Sequence, residues 1–210
     1  MVEKNDLQDI EHKTLRFYYE DGLLDVFIGG FFLLYGLCFI FIEPKYGPLA
    51  GLIVGLGTPI YNKAKESITY PRQGYVKLKK ETRHRLMVNQ ILLLTFAGFI
   101  TLHGLFYMMG DPINAPPLML FLNRYNLLFI GCIIATLLYA IGRIYHVNRI
   151  YRYSIISLLV FSACFLYLNP PTIFSTEITG IPLLINGIII TFMGTRQLLG
   201  FINKYPKRDQ

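Results

Sequence analysis

Polar and apolar positions fall along this chain in blocks rather than alternating residue by residue. Apolar runs occupy about residues 23–42, 47–63, 86–109, 126–145, 150–168 and 181–202, each bounded by charge, proline or glycine. About 20 apolar residues in helical form cross the roughly 30 Å hydrocarbon core of a bilayer. The pattern predicts an all-α integral membrane domain over residues 23–202 with six transmembrane helices. Glu43-Pro-Lys-Tyr-Gly-Pro48 reads as a tight turn between the first two. The second run is short, contains Pro59, and continues as helix through Asn62 and Lys63 toward the interface. Gly30-Phe-Phe-Leu-Leu-Tyr-Gly-Leu37 is echoed by Gly98-Phe-Ile-Thr-Leu-His-Gly-Leu105, which suggests three helical hairpins of common origin.

Two segments break the pattern. In residues 1–22, Leu7, Ile10, Thr14, Leu15, Phe17 and Tyr18 fall largely on one helical face, with Asp6, Asp9, Glu11, Lys13 and Arg16 on the other. This predicts an amphipathic helix. It is not basic, so packing on protein suits it better than attraction to anionic lipid. The acidic, polar start also argues against a cleaved signal peptide. The second break is the basic loop, residues 64–85. Ile68, Thr69 and Tyr70 are strand formers, as are Tyr75 and Val76, and between them Pro71 and Gly74 suit a turn. The loop is therefore expected to hold a short β-hairpin with Arg72 near its tip.

The charge pattern sets an orientation. All but two of the 20 Lys and Arg, namely Lys45 and Arg124, fall on the side that carries both termini and the loops after the second and fourth runs. Basic loops stay in the cytoplasm. Both termini, including the tail 203–210, are expected there, in the cytoplasmic (inner) membrane of a prokaryote. The composition, 53% hydrophobic and 16% charged, belongs to the membrane class. The net charge of +7 then points to anionic lipid rather than nucleic acid. Cys38, Cys132 and Cys164 all lie within apolar runs and suggest neither disulfides nor zinc.

Candidate chemistry is sparse. There is no H-E-x-x-H, G-x-S-x-G or Walker loop, and nothing asks for a cofactor. Glu20-Asp-Gly-Leu-Leu-Asp25 looks superficially like the paired aspartates of membrane alcohol-phosphotransferases, but the downstream pair those enzymes need is missing. Ionisable or polar residues at membrane depth are Asp25, His103, Arg143, Asn186 and Arg196. Asp25 is expected to pair with Arg196 or Arg143, either locking the bundle or forming the floor of a polar cavity. His103 and Asn186 are expected to hydrogen-bond a neighbouring helix. Gly22, Gly29 and Gly36 recur every seven residues, as do Gly180, Gly187 and Gly194, while Gly51 and Gly55 are spaced by four. Such spacing brings helix backbones together. Packing within the chain is the favoured use and a homodimer face the alternative.

Tyr70, Arg72, Tyr75, Lys77, Lys79, Arg83 and Arg85 form the candidate docking surface for a phosphate, a lipid headgroup or a cytoplasmic protein. The plainer reading is that these lysines anchor helix ends at the headgroups. Thr69-Tyr-Pro-Arg-Gln-Gly-Tyr-Val76, with Glu20-Asp-Gly-Leu23 and Gly29-Gly30, resembles a group of small prokaryotic multi-pass membrane proteins carrying a T-Y-P-R-x-G-Y-V cytoplasmic loop. The resemblance implies the architecture and no particular activity. The expected function is that of a non-catalytic membrane protein whose basic cytoplasmic face binds anionic lipid or a protein partner. The alternatives are a small-solute transporter or its substrate-binding subunit, and a lipid-modifying enzyme. Vitamin-binding subunits of energy-coupling transporters have a similar size, but their first-span stripe is usually alanine where this chain has glycine.

Overall fold

The computed structural model describes residues 13–14, 17–41, 57, 59–73, 121, 124–168 and 176–206. Among these residues five main helices follow in order: α1 (Leu23–Phe41), α2 (residues 59–73), α3 (Asn126–Tyr145), α4 (Asn148–Leu168) and α5 (Thr176–Lys204). No strand occurs among the described residues. α1, α3, α4 and most of α5 are long and apolar enough to cross a membrane. Among the described residues the protein is thus all-helical, with four membrane-length helices. The run at 86–109 and most of that at 47–63 lie outside the described residues. Of the amphipathic segment, Lys13, Thr14, Phe17 and Tyr18 are helical.

Among the described residues two helix pairs build the fold, and glycine sets the first. α1 and α5 run antiparallel in close contact. A Cβ at Gly29 would lie 2.4 Å from Thr191 N, one at Gly36 2.7 Å from Leu184 N, one at Gly187 2.5 Å from Leu33 N and one at Gly194 2.6 Å from Val26 N. All four distances are shorter than real side-chain carbons tolerate. The two heptad glycine stripes face each other, so they pack within the chain. Gly51 and Gly55 lie outside the described residues.

The second pair is the α3–α4 hairpin. His146 ends α3 in the left-handed region (φ 55°), and its N–H and that of Val147 both bond to Gly142 O. This αL cap reverses the chain in two residues. Gly131 lies against Phe161, and Ser154 Oγ donates to Ala135 O at 2.6 Å. Tyr35, Ile134, Ile150, Tyr153, Phe161 and Ile190 are buried where the helices meet.

α2 corrects the expected β-hairpin. Lys65–Thr69 is a π turn, closed by Tyr70 N–H on Lys65 O, and Tyr70–Gln73 continues as α-helix. Ile68, Thr69 and Tyr70 are therefore helical. Strand propensity is weak and yields to context. The widened turn has a local cause: Pro71 has no N–H to offer Ser67, and its ring crowds that carbonyl. The proposed second arm, 74–80, lies outside the described residues.

Candidate functional site: a buried charge network beside a basic cleft

The N-terminus of α1, the C-terminal half of α2, the α3–α4 turn and the C-terminus of α5 meet at one end of the bundle. The segment 17–25 organises that end. Gly22 adopts φ +75°, and a Cβ there would lie 2.8 Å from Gln197 Cβ, so only glycine fits. Its carbonyl accepts from Asp25 N and Val26 N, which starts α1. Asp21 Oδ1 takes the Leu23 N–H at 3.2 Å. With the backbone turned this way, the carboxylates of Asp21 and Asp25 both point inward and both are fully buried.

Each buried acid has a base. Thr69 Oγ1 donates to Asp21 Oδ2 at 2.6 Å, and Lys65 Nζ stands 3.6 Å from the same oxygen. The π turn presents Lys65 and Thr69 to one acid. Lys65 is only 1% exposed. Its Nζ donates to Tyr18 O at 2.6 Å and sits 3.0 Å from the centre of the Tyr18 ring. Burial brings the Lys65 ammonium down to about 7, against the opposing pull of Asp21. Asp25 pairs with Arg149, Nε to Oδ2, at 2.5 Å, and accepts from Tyr153 OH at 3.3 Å. Arg149 Nη2 also donates to Tyr19 O. Tyr19 packs on Tyr145 with the rings tilted and their centres 4.4 Å apart.

On the outer side of this network lies a cleft of about 310 Å³. One wall is the first turns of α4 with Arg149 and Arg152, the other the last turns of α5 with Arg196, Gly200 and Lys204, and Glu20 closes one side. Lys204 Nζ bonds Glu20 Oε1 at 2.8 Å, and Gln197 Nε2 donates to Glu20 O at 3.0 Å. Arg149 and Lys204 thus have carboxylate partners. Arg152 and Arg196 have none among the described residues.

Several expected roles change. Asp25 is buried and paired, but with Arg149 instead of Arg196 or Arg143, both of which are exposed. The sharp turn at His146 swings Arg149 under the N-terminus of α1, whereas Arg143 faces outward from α3. Arg72 Nη1 donates to Ile68 O at 2.7 Å, so that group caps its own helix. Tyr70 OH stands 3.5 Å from Tyr18 OH. Asn186 is buried, yet its Nδ2 donates to Pro182 O within α5 rather than across helices. Tyr75, Lys77, Lys79, Arg83, Arg85 and His103 lie outside the described residues. Sequence reasoning passed over Lys65, Thr69, Arg149, Tyr153 and Gly200. The one visible signal was Glu20-Asp-Gly-Leu-Leu-Asp25, whose acidic residues at the start of an apolar run require partners.

The fold and this end of the bundle define a helical membrane protein with a buried ionic network. No family model matches the chain, and neither a curated protein nor a solved structure matches it.

Proposed function

We propose that the protein is a six-span, non-catalytic protein of the inner membrane, with both termini cytoplasmic, whose basic face holds anionic lipid. One observation carries the reading: Arg152 and Arg196 are exposed on the walls of a cleft and lack acidic partners among the described residues. Two such cations beside membrane-length helices attract phosphate headgroups. The lopsided distribution of Lys and Arg supports the orientation, and the polar ends of the described helices collect at the side it assigns to the cytoplasm. A reporter fused after Pro206 is expected to be cytoplasmic, and an external reporter would overturn the orientation.

A second reading, transport of a small solute, draws on a different observation. Asp25 Oδ1, Ser157 Oγ, Asn186 Oδ1 and Thr191 Oγ1 are buried without hydrogen-bond partners among the described residues. Native mass spectrometry of gently purified protein separates the two readings. Retained anionic phospholipid is the expected result, and a retained polar metabolite in its place would favour transport.

A further inference from the structure

We infer that the cleft between α4 and α5 is a built site for the phosphoryl group of one phospholipid, gripped by Arg152 and Arg196. This rests on the lipid-binding reading above and gives it an address. Charge comes first. Arg149 and Lys204 are matched by Asp25 and Glu20. The cleft therefore presents the surplus charge of Arg152 and Arg196, which complements one anionic phosphate. Guanidinium groups suit that geometry because their paired N–H donors match phosphate oxygens.

The surroundings of the two arginines identify lipid as the source of the phosphate. Ile155 and Leu159 follow Arg152 on one face of α4, and they are 61% and 63% exposed. Phe192 and Ile188 precede Arg196 on one face of α5, and they are 69% and 52% exposed. Each arginine thus heads an exposed apolar ladder that leads away from the cleft into the membrane-length part of its helix. A headgroup with acyl chains matches both parts at once, whereas a free phosphate would leave the ladders unused.

Gly200 is the third observation. Glycine weakens a helix interior and is tolerated where something gains from the missing side chain. Gly29, Gly36, Gly187 and Gly194 each make room for the backbone of a neighbouring helix, but among the described residues a Cβ at Gly200 would meet nothing within 4 Å beyond its chain neighbours and its own helix backbone. Gly200 lines the cleft. Its missing side chain leaves space for a ligand instead of a helix.

The test uses the full-length chain in uncharged detergent and follows thermal unfolding by circular dichroism. Dihexanoyl-phosphatidylglycerol, dihexanoyl-phosphatidylcholine and inorganic phosphate are titrated in separately. The glycerol lipid is expected to raise Tm in the wild type, with little effect from the other two. Arg152→Gln and Arg196→Gln should each move the half-saturating concentration up about tenfold or more, the cost of one charged hydrogen-bonding partner. Gly200→Leu keeps every charge and should abolish the response, whereas Gly200→Ala, which adds a single methyl, should retain it. Each variant's own Tm without lipid reports its folding. A wild-type response that persists unchanged in Arg152→Gln, Arg196→Gln and Gly200→Leu would retire the cleft and leave lipid binding elsewhere on the basic face. A wild type indifferent to phosphatidylglycerol would retire both. Inorganic phosphate acting as strongly as the lipid, and lost in the same variants, would overturn lipid as the source.

Discussion

The Asp25–Arg149 pair allows the sharpest test of how this bundle is held together. Asp25 is fully buried and the Arg149 side chain is 13% exposed, with 2.5 Å between Nε and Oδ2. Removing one partner strands the other charge in a poorly solvated site, which costs about 3–5 kcal/mol. Arg149→Met should fall toward the upper end, since Tyr19 O also loses its donor, while Tyr153 OH can still serve Asp25. Asp25→Leu strands the guanidinium and should cost a similar amount. The double variant replaces an ion pair by apolar side chains of similar volume and should come close to wild type, as such replacements are often neutral. At about 2–4 °C per kcal/mol, each single variant should melt about 6–20 °C lower, and the double variant only slightly lower. The assay is thermal unfolding of detergent-purified protein, analysed as a double-mutant cycle. A double variant that loses the sum of the two single losses would refute the pairing, because independent sites add.

Two further outcomes are expected. Gly29→Leu should destabilise severely, because even its Cβ would overlap Thr191 N, whereas Gly30→Ala, whose Cβ meets nothing within 4 Å beyond its own helix among the described residues, should be neutral or mildly stabilising; equal melting temperatures would contradict the α1–α5 interface. Lys65 should make stability depend on pH. Its folded value of about 7 lies below the ordinary 10.5, so between these the unfolded chain binds the extra proton and stability rises with pH, by at most about 1.4 kcal/mol per unit. The groups facing it are Asp21, Arg149 and the rings of Tyr18, Tyr19 and Tyr61. Lys65→Met should flatten that rise between pH 7 and 9, and identical slopes in the two proteins would count against a lysine held neutral by burial.

Periodic features were legible in the sequence, and features created by tertiary contact were not. Seven-residue glycine spacing in two apolar runs marked the faces along which α1 and α5 pack, but did not say that each is the other's partner. Asp25 had to have a partner because a carboxylate near the start of an apolar run cannot stay alone. The choice of Arg149 depended on a two-residue turn at His146 that carries no glycine to announce it. Lys65 was read as one of several lysines in a basic loop, since a lysine following an apolar run reads the same whether it reaches headgroups or folds back under tyrosines. The strand reading of 68–70 came from side-chain type alone. It failed because the helix entering that stretch from residue 59 carries on through it, widening its hydrogen bonding at Pro71 instead of stopping.

The close fit between α1 and α5 has a consequence for how the protein is made. α1 is synthesised early and α5 late, with nearly the whole described chain between them. Until α5 enters the bilayer, the glycine groove of α1 has no mate, and Glu20 lacks both Gln197 and Lys204. The carboxylates of Asp21 and Asp25 likewise wait for α2 and α4. A nascent chain halted before α5 would expose a small-residue face to any passing transmembrane helix. Packing of this pair therefore waits for α5, and a helix made late completes the interface of one made early.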